Sequence, residues 1–297
     1  MEDLQYYIDD PFTFSGKQDL FSEAKVVFFG VPLDVTASFK KGTHQGPNAI
    51  REASKEIESY NQMTERDPVE ETKIHDLGNL WITPGNLKET LDRIKGFTSK
   101  LLAKNKIPFM LGGEHTSSLP VIKALHEKHP DLVVVHFDAH ADLKDEYKGD
   151  KTMHASFMRR VLEFLPKDQL MQIGVRSLDT EENEFIKSND INTFFIDVAK
   201  QTDLDTLLDE VKRDVEGFTQ NKPTYITFDI DCLDASIAPG TGTPEPNGLT
   251  YNQAAGLIKS IRGNVVGCDM MEVCRDKEML TPTVATKLIF KMLELIK

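Results

Sequence analysis

Short unbroken runs of apolar residues recur along the chain, separated by longer stretches in which apolar positions return every three or four residues. The short runs, at 24–29, 107–111, 132–137, 170–173, 193–196, 223–228 and 265–270, predict strands covered on both faces, since a half-exposed strand would alternate apolar and polar positions. The longer stretches predict helices at about 48–60, 87–104, 118–128, 155–164, 181–187, 203–215, 251–261 and 283–296. Strands and helices taken in turn predict an α/β fold, a parallel sheet with helices on its faces. Thr202 and Asp203 are suited to cap the helix whose Leu204, Leu207, Leu208 and Val211 form one apolar stripe. Thr281-Pro282 supplies a capping residue and a first-turn proline for the last helix. No Ser/Gly linker, repeat or shift in composition breaks the pattern, so a single domain over 1–297 is expected.

Composition sharpens this picture. With 39% hydrophobic residues in 297, the chain can bury a large core. Its formal net charge of −13 is spread without a long acidic run, which disfavours a nucleic-acid or anionic-membrane partner and suits a cationic ligand. The longest apolar stretches fall far short of the roughly 20 residues of a spanning helix. The start Met-Glu-Asp-Leu-Gln lacks the basic-then-apolar layout of an export signal, so a cytoplasmic protein is expected. Cys232, Cys268 and Cys274 are too few for a disulfide framework, and reduced thiols are expected.

The candidate chemistry sits where strands end. The run 132–137 leads into Asp138-Ala139-His140-Ala141-Asp142, whose polar residues at i, i+2 and i+4 share one face of an extended chain. The run 223–228 leads into Asp229-Ile230-Asp231 with the same period, and 107–111 leads into Gly112-Gly113-Glu114-His115-Thr116, where the glycines permit a sharp turn that presents His115. A parallel sheet puts these ends on one edge, so the three clusters are expected to converge. One aspartate at a strand end is an ordinary turn former. Four of them gathered with two imidazoles cannot all ionise unless cations neutralise them. Six side chains exceed the needs of one catalytic zinc, whereas two ions roughly 3.5–4 Å apart would use them all. Oxygen-rich ligation with imidazole and no thiolate suits Mn²⁺, with Ni, Co, Fe or Zn open.

These blocks resemble the metal motifs of the ureohydrolase family of arginases and agmatinases, and they stand in the family's order. The resemblance extends through Gly30-Val31-Pro32-Leu33-Asp34, Gly42-Thr43-His44-Gln45-Gly46-Pro47, Ala238-Pro239-Gly240-Thr241-Gly242-Thr243-Pro244-Glu245 and Met271-Glu272-Val273, and so covers most of the chain. It implies a three-layer α/β/α fold around a mainly parallel eight-stranded sheet, assembled as a trimer or hexamer. It also implies one Mn²⁺ held by His115, Asp138, Asp142 and Asp229, and a second by His140, Asp138, Asp229 and Asp231. Attack by a hydroxide bridging the two ions on a guanidino carbon, releasing urea and an amine, is the implied reaction. Glu272 matches the glutamate that binds the guanidinium. His154 matches the proton-shuttling histidine, a role suited by a near-neutral pKa, although a histidine just ahead of a helix taken alone reads as a surface or capping residue.

The blocks look closer to the agmatinase branch, which makes agmatine the expected substrate and putrescine biosynthesis the setting. Guanidinobutyrate, arginine or another guanidino acid is the alternative, because Lys144, Lys148 and Lys151 lie in the loop after Asp142 and Val273-Cys274-Arg275 departs from the usual agmatinase pattern. Two other classes fit a dinuclear cluster: a metallophosphoesterase, for which the matched blocks lack an arginine clamp, and a non-catalytic metal-binding protein. Asp234 reads as a turn residue, Gly240-Thr241-Gly242-Thr243 as pocket wall and Cys274 as a packing thiol. His44, His75, His126 and His129 read as loop or surface residues, and His136 as packed or hydrogen-bonded within its strand.

Overall fold

In the computed structural model, which describes residues 12–196 and 204–296, eight strands form one sheet among the described residues. In chain order these are β1 (Val26–Val31), β2 (Ile74–Asn79), β3 (Ile107–Gly112), β4 (Val133–Phe137), β5 (Leu170–Val175), β6 (Asn192–Phe195), β7 (Pro223–Asp229) and β8 (Asn264–Met271). Their spatial order is β2-β1-β3-β8-β7-β4-β5-β6, and every pairing is parallel. The helices are α1 (Gly46–Lys55), α2 (Pro68–Glu71), α3 (Leu87–Ala103), α4 (Ser118–Lys128), α5 (Phe157–Val161), α6 (Thr180–Asn189), α7 (Leu204–Thr219), α8 (Tyr251–Lys259) and α9 (Leu280–Leu293).

The expected layering follows from side-chain alternation along the central strands. Val26, Phe28, Phe109, Leu111, Val135, Phe137, Ile226 and Phe228 pack on one face with residues of α1, α7, α8 and α9. The residues between them, such as Val27, Phe29, Met110, Val134 and Tyr225, pack on the other face with α3, α4, α5 and α6. Each face is sealed by its own apolar layer, so the strands read as continuous apolar runs.

Several expectations needed correction. The edge strand β2 carries no apolar run: Ile74 and Asp76 are buried while Leu77 is exposed. Asp76 takes the place of an apolar residue because Arg51 of α1 meets it with two contacts, Nε to Oδ2 at 2.7 Å and Nη2 to Oδ1 at 2.8 Å. The helix expected at 48–60 begins at Gly46 and stops at Lys55, and the one expected at 155–164 is only Phe157–Val161. The last helix begins at Leu280 rather than 283, and Thr281 does not cap it. Asp276 does so, accepting from Leu280 N and Thr281 N, while the Thr281 hydroxyl accepts from Gly240 N. Thr202 and Asp203, expected to cap α7, lie outside the described residues, although Leu208 and Val211 are buried as their spacing requires. No helix among the described residues is long and apolar enough to cross a membrane.

Candidate active site

The chain passes from β3 to β4 across two intervening strands, β8 and β7, so the carboxyl ends of four adjacent strands open on one crevice. After β3, Gly113 runs so close to β1's continuation that a Cβ there would lie 2.0 Å from Leu33 O. The turn that follows buries His115 and sets its Nε2 2.8 Å from Thr227 Oγ1 of β7. This contact aims Nδ1 at the carboxylates: 3.1 Å to Asp138 Oδ2, 3.2 Å to Asp229 Oδ2 and 4.0 Å to Asp142 Oδ2.

Asp138 follows β4 and faces both halves of the cluster. Its Oδ2 lies near His115 and 2.9 Å from His136 Nε2, while its Oδ1 accepts from His140 N at 2.6 Å and lies 3.5 Å from His140 Nδ1. The same His140 nitrogen is 3.1 Å from Asp231 Oδ2. Asp231 sits in the turn after β7, where its N donates to Asp229 Oδ1 at 2.8 Å and its Oδ1 accepts from Ala139 N. The donor atoms of His115, His136, Asp138 and Asp142 all lie within 4.8 Å of one another, as do those of Asp138, His140 and Asp231. Asp229 falls in neither group, although it contacts His115 directly.

The period that drew attention to Asp142 does not explain its placement. The strand ends at Phe137, and Asp142 has φ of +54°, so a loop rather than an extended face brings it to His115. Glu272, the residue after β8, also has a positive φ, +58°. A non-glycine backbone held there costs about 1–3 kcal/mol and persists where its surroundings dictate it. For Glu272 those surroundings are two hydrogen bonds: its N donates to Gly113 O at 2.9 Å and its Oε1 accepts from His115 N at 2.7 Å.

Crowded acids in a buried site resist ionisation. Burial, reinforced by Asp138, pushes Asp142 well above the usual carboxylate range, and burial with Asp231 and Asp138 does the same to Asp229. Burial also raises Glu272 to about 8. Asp138 is the exception: burial opposes its charge, but His136, His115 and His140 around it prevail and hold its carboxyl well below the usual range. This donor set suits divalent cations. Buried carboxylate oxygens and imidazole nitrogens are the ligands of Mn²⁺ and its neighbours, and positive charge at the centre is what would let Asp142 and Asp229 ionise together.

His154 stands at the other wall. Its Nδ1 is 3.2 Å from Thr36 Oγ1, its Nε2 is 3.2 Å from Ser38 Oγ, and its backbone N donates to Thr36 Oγ1 at 3.1 Å. The near-neutral pKa expected from sequence is not met. Burial, with the charge on His140, pushes it down to about 4, so the ring is neutral at pH 7. Nearby, Thr243 Oγ1 donates to Asp231 Oδ2 at 3.2 Å, and a Cβ added at Gly242 would lie 3.5 Å from Glu272 Oε2, which sets the end of the Gly240–Thr243 stretch beside the acidic cluster. Asp234 is a turn residue, accepting from Ser236 N and Gly248 N. Burial raises the Cys274 thiol to about 12, and all three cysteines are buried and free. Of the loop lysines, Lys144 meets Asp179 and Glu182 and Lys151 meets Asp145, while Lys148 lies over the ring of Tyr147, which packs edge-on to His154.

Sequence reasoning missed Thr36, Ser38, Thr227 and Glu245, the last lying 3.6 Å from His140 Nε2. Hydroxyl residues in loops carry no periodic signal. His136, expected to be packed or hydrogen-bonded within its strand, is both: it is buried, 2.9 Å from Asp138 Oδ2 and 3.0 Å from Gln172 Nε2.

The arginase family model matches residues 24–294. The chain belongs to the arginase family. Among curated members of this family it is 38% identical over 278 residues to an agmatinase of Bacillus anthracis, an alignment covering 92% of each chain. It is 36% identical over 273 residues to a guanidinobutyrase of Pseudomonas aeruginosa, covering 90% of this chain and 84% of the relative. The solved agmatine ureohydrolase of Thermoplasma volcanium superposes with a TM-score of 0.84 at 30% identity, covering 99% of this chain and 96% of that one.

Proposed function

We propose that this arginase-family hydrolase cleaves agmatine to putrescine and urea with the help of two divalent cations. In this reading His115, Asp138, Asp142 and Asp229 hold one ion and His140, Asp138, Asp229 and Asp231 the other, with manganese favoured by ligand type. Two such ions, when bound, would supply the nucleophile at neutral pH by lowering the pKa of water.

The protein's own groups do the rest. Glu272 accepts hydrogen bonds from the guanidinium and orients its carbon, holding a delocalised and therefore poor electrophile in line for attack. Once oxygen has added to that carbon, the neutral His154 ring takes the proton of the adduct's hydroxyl group as the carbonyl of urea forms. It then delivers the proton to the amine nitrogen whose C–N bond breaks. Urea and a primary amine leave.

The observation that carries this reading is the gathering of four aspartates and two imidazoles at adjacent strand ends, with Glu272 bonded to the backbone of His115. The names of the relatives support agmatine, as do the net negative charge and the pairing of Lys144 and Lys151 with carboxylates outside the cluster. A guanidino acid is the second reading, supported by the guanidinobutyrase relative. A coupled urea assay over agmatine, arginine, guanidinobutyrate and guanidinopropionate tests both. Urea from agmatine with Mn²⁺, lost on chelation and in Asp138→Ala or Asp229→Ala, is expected. A higher kcat/KM on guanidinobutyrate moves the assignment to the second reading, and no urea from any substrate overturns both. The same reading makes the protein a cytoplasmic single-domain chain that assembles as a homo-oligomer, with size measurable by light scattering.

A further inference from the structure

We propose that Thr36 is a positioning residue that aims the His154 ring, and that Glu114 holds Thr36 in place; this rests on the reading of His154 as the proton carrier. Thr36 is buried in the loop between β1 and α1, far from His154 in sequence. One hydroxyl meets the same histidine twice, accepting from its backbone N at 3.1 Å and lying 3.2 Å from its Nδ1. The first contact fixes where the residue enters the site, and the second fixes how the ring is turned. Thr36 is fixed in its turn: its N donates to Glu114 Oε2 at 2.6 Å. Glu114 is fully buried, and its other oxygen, Oε1, has no hydrogen-bond partner, so the Thr36 loop is its anchor point.

The choice of a hydroxyl matters. A carboxylate beside Nδ1 would favour the charged imidazolium. A hydroxyl donates or accepts, and so stays bonded to the ring before and after it gains a proton. Thr36 therefore keeps the ring aimed through both halves of the transfer. Ser38, half-buried at Nε2, is the partner that gives way to the departing nitrogen.

Thr36→Val keeps the side-chain shape and removes the hydroxyl. In the metal-loaded enzyme it is expected to lower kcat about tenfold with KM and bound metal unchanged, and Thr36→Ser to recover most of the loss. In a His154→Asn background Thr36→Val should change kcat by less than about twofold, because the two residues act as one unit. Independently of turnover, the ring nitrogen resonances of His154 should shift in Thr36→Val and hold in Thr36→Ser. Thr36→Ala, which adds no bulk, gives the same readouts should the valine variant fold poorly. Wild-type kcat in Thr36→Val, an equal loss with and without His154, or unshifted resonances each overturn the proposal. If no guanidino substrate yields urea, the functional reading fails while the resonances still decide the contact.

Discussion

A histidine drawn into a protein loses the water that stabilises its charged form, and His154 shows what this does to a residue chosen for its ordinary pKa. Burial and His140 bring it down to about 4, against 6.5 for a free imidazole. The sign of the consequence is fixed by linkage. Between those two values the unfolded chain binds a proton that the folded protein refuses, so His154 lowers stability as pH falls from 6.5 towards 4. Above 6.5 it has no effect. The ring resonances are therefore expected to stay at their neutral positions from about pH 8 down to about pH 5. His154→Asn should soften the loss of stability on the acid side. A titration midpoint near the free-imidazole value would contradict this. At the same scale, the ligand-type residues were legible because their chemistry is concentrated in Asp and His at period-two spacing after apolar runs. The spacing drew attention to residues that the fold brings together, but the positive φ of Asp142 shows that a shared extended face is not what brings them there. Thr36 and Thr227 were illegible because a hydroxyl that aims an imidazole looks like any other loop or strand threonine.

Among the elements, the buried strands announced themselves and the edge strand did not. β4 and β7 are apolar on both faces because both faces are covered, whereas β2 substitutes an ion pair for an apolar contact and leaves Leu77 outside. Only three dimensions reveal that Arg51 and Asp76 meet. The pair fastens α1 to the sheet edge, with Arg51 also reaching Asn79 Oδ1 at 2.6 Å and Asp76 accepting from Phe14 N. Arg51→Met leaves a buried carboxylate without its partner and is expected to cost about 3–5 kcal/mol. Adding Asp76→Asn should recover part of that cost, since the uncompensated charge is then gone. Urea denaturation midpoints measure both, and a single-variant cost below about 1 kcal/mol would show the pair to be dispensable. The element ends follow a different logic. Gly113 faces the Leu33 backbone at a distance no Cβ tolerates, and backbone cannot swing aside, so Gly113→Ala should move the His115 turn and cost about 1–3 kcal/mol or more.

At the scale of the whole molecule, the sheet gathers more negative charge than the histidines packed around Asp138 offset. Three strand ends deliver Asp138, Asp142, Asp229, Asp231 and Glu272 to one buried volume, and in the absence of cations Asp142, Asp229 and Glu272 are pushed towards their protonated forms. Cations that bind only the assembled cluster stabilise the fold by mass action, about 2.7 kcal/mol when present at a hundredfold excess over Kd. The unfolded chain cannot compete well, because its ligands come from three segments separated by long stretches of sequence. Chelation should accordingly lower Tm, and Mn²⁺ should restore it in a concentration-dependent manner. Asp229→Asn makes the argument specific. It removes one crowded charge, so the chelated variant should melt no lower than chelated wild type, yet it should gain less from Mn²⁺ because a ligand has been lost. Calorimetry with and without metal reads both shifts. A Tm indifferent to Mn²⁺, Ni²⁺, Co²⁺ and Zn²⁺ alike would mean that the cluster is not a metal centre, whatever its resemblance in sequence.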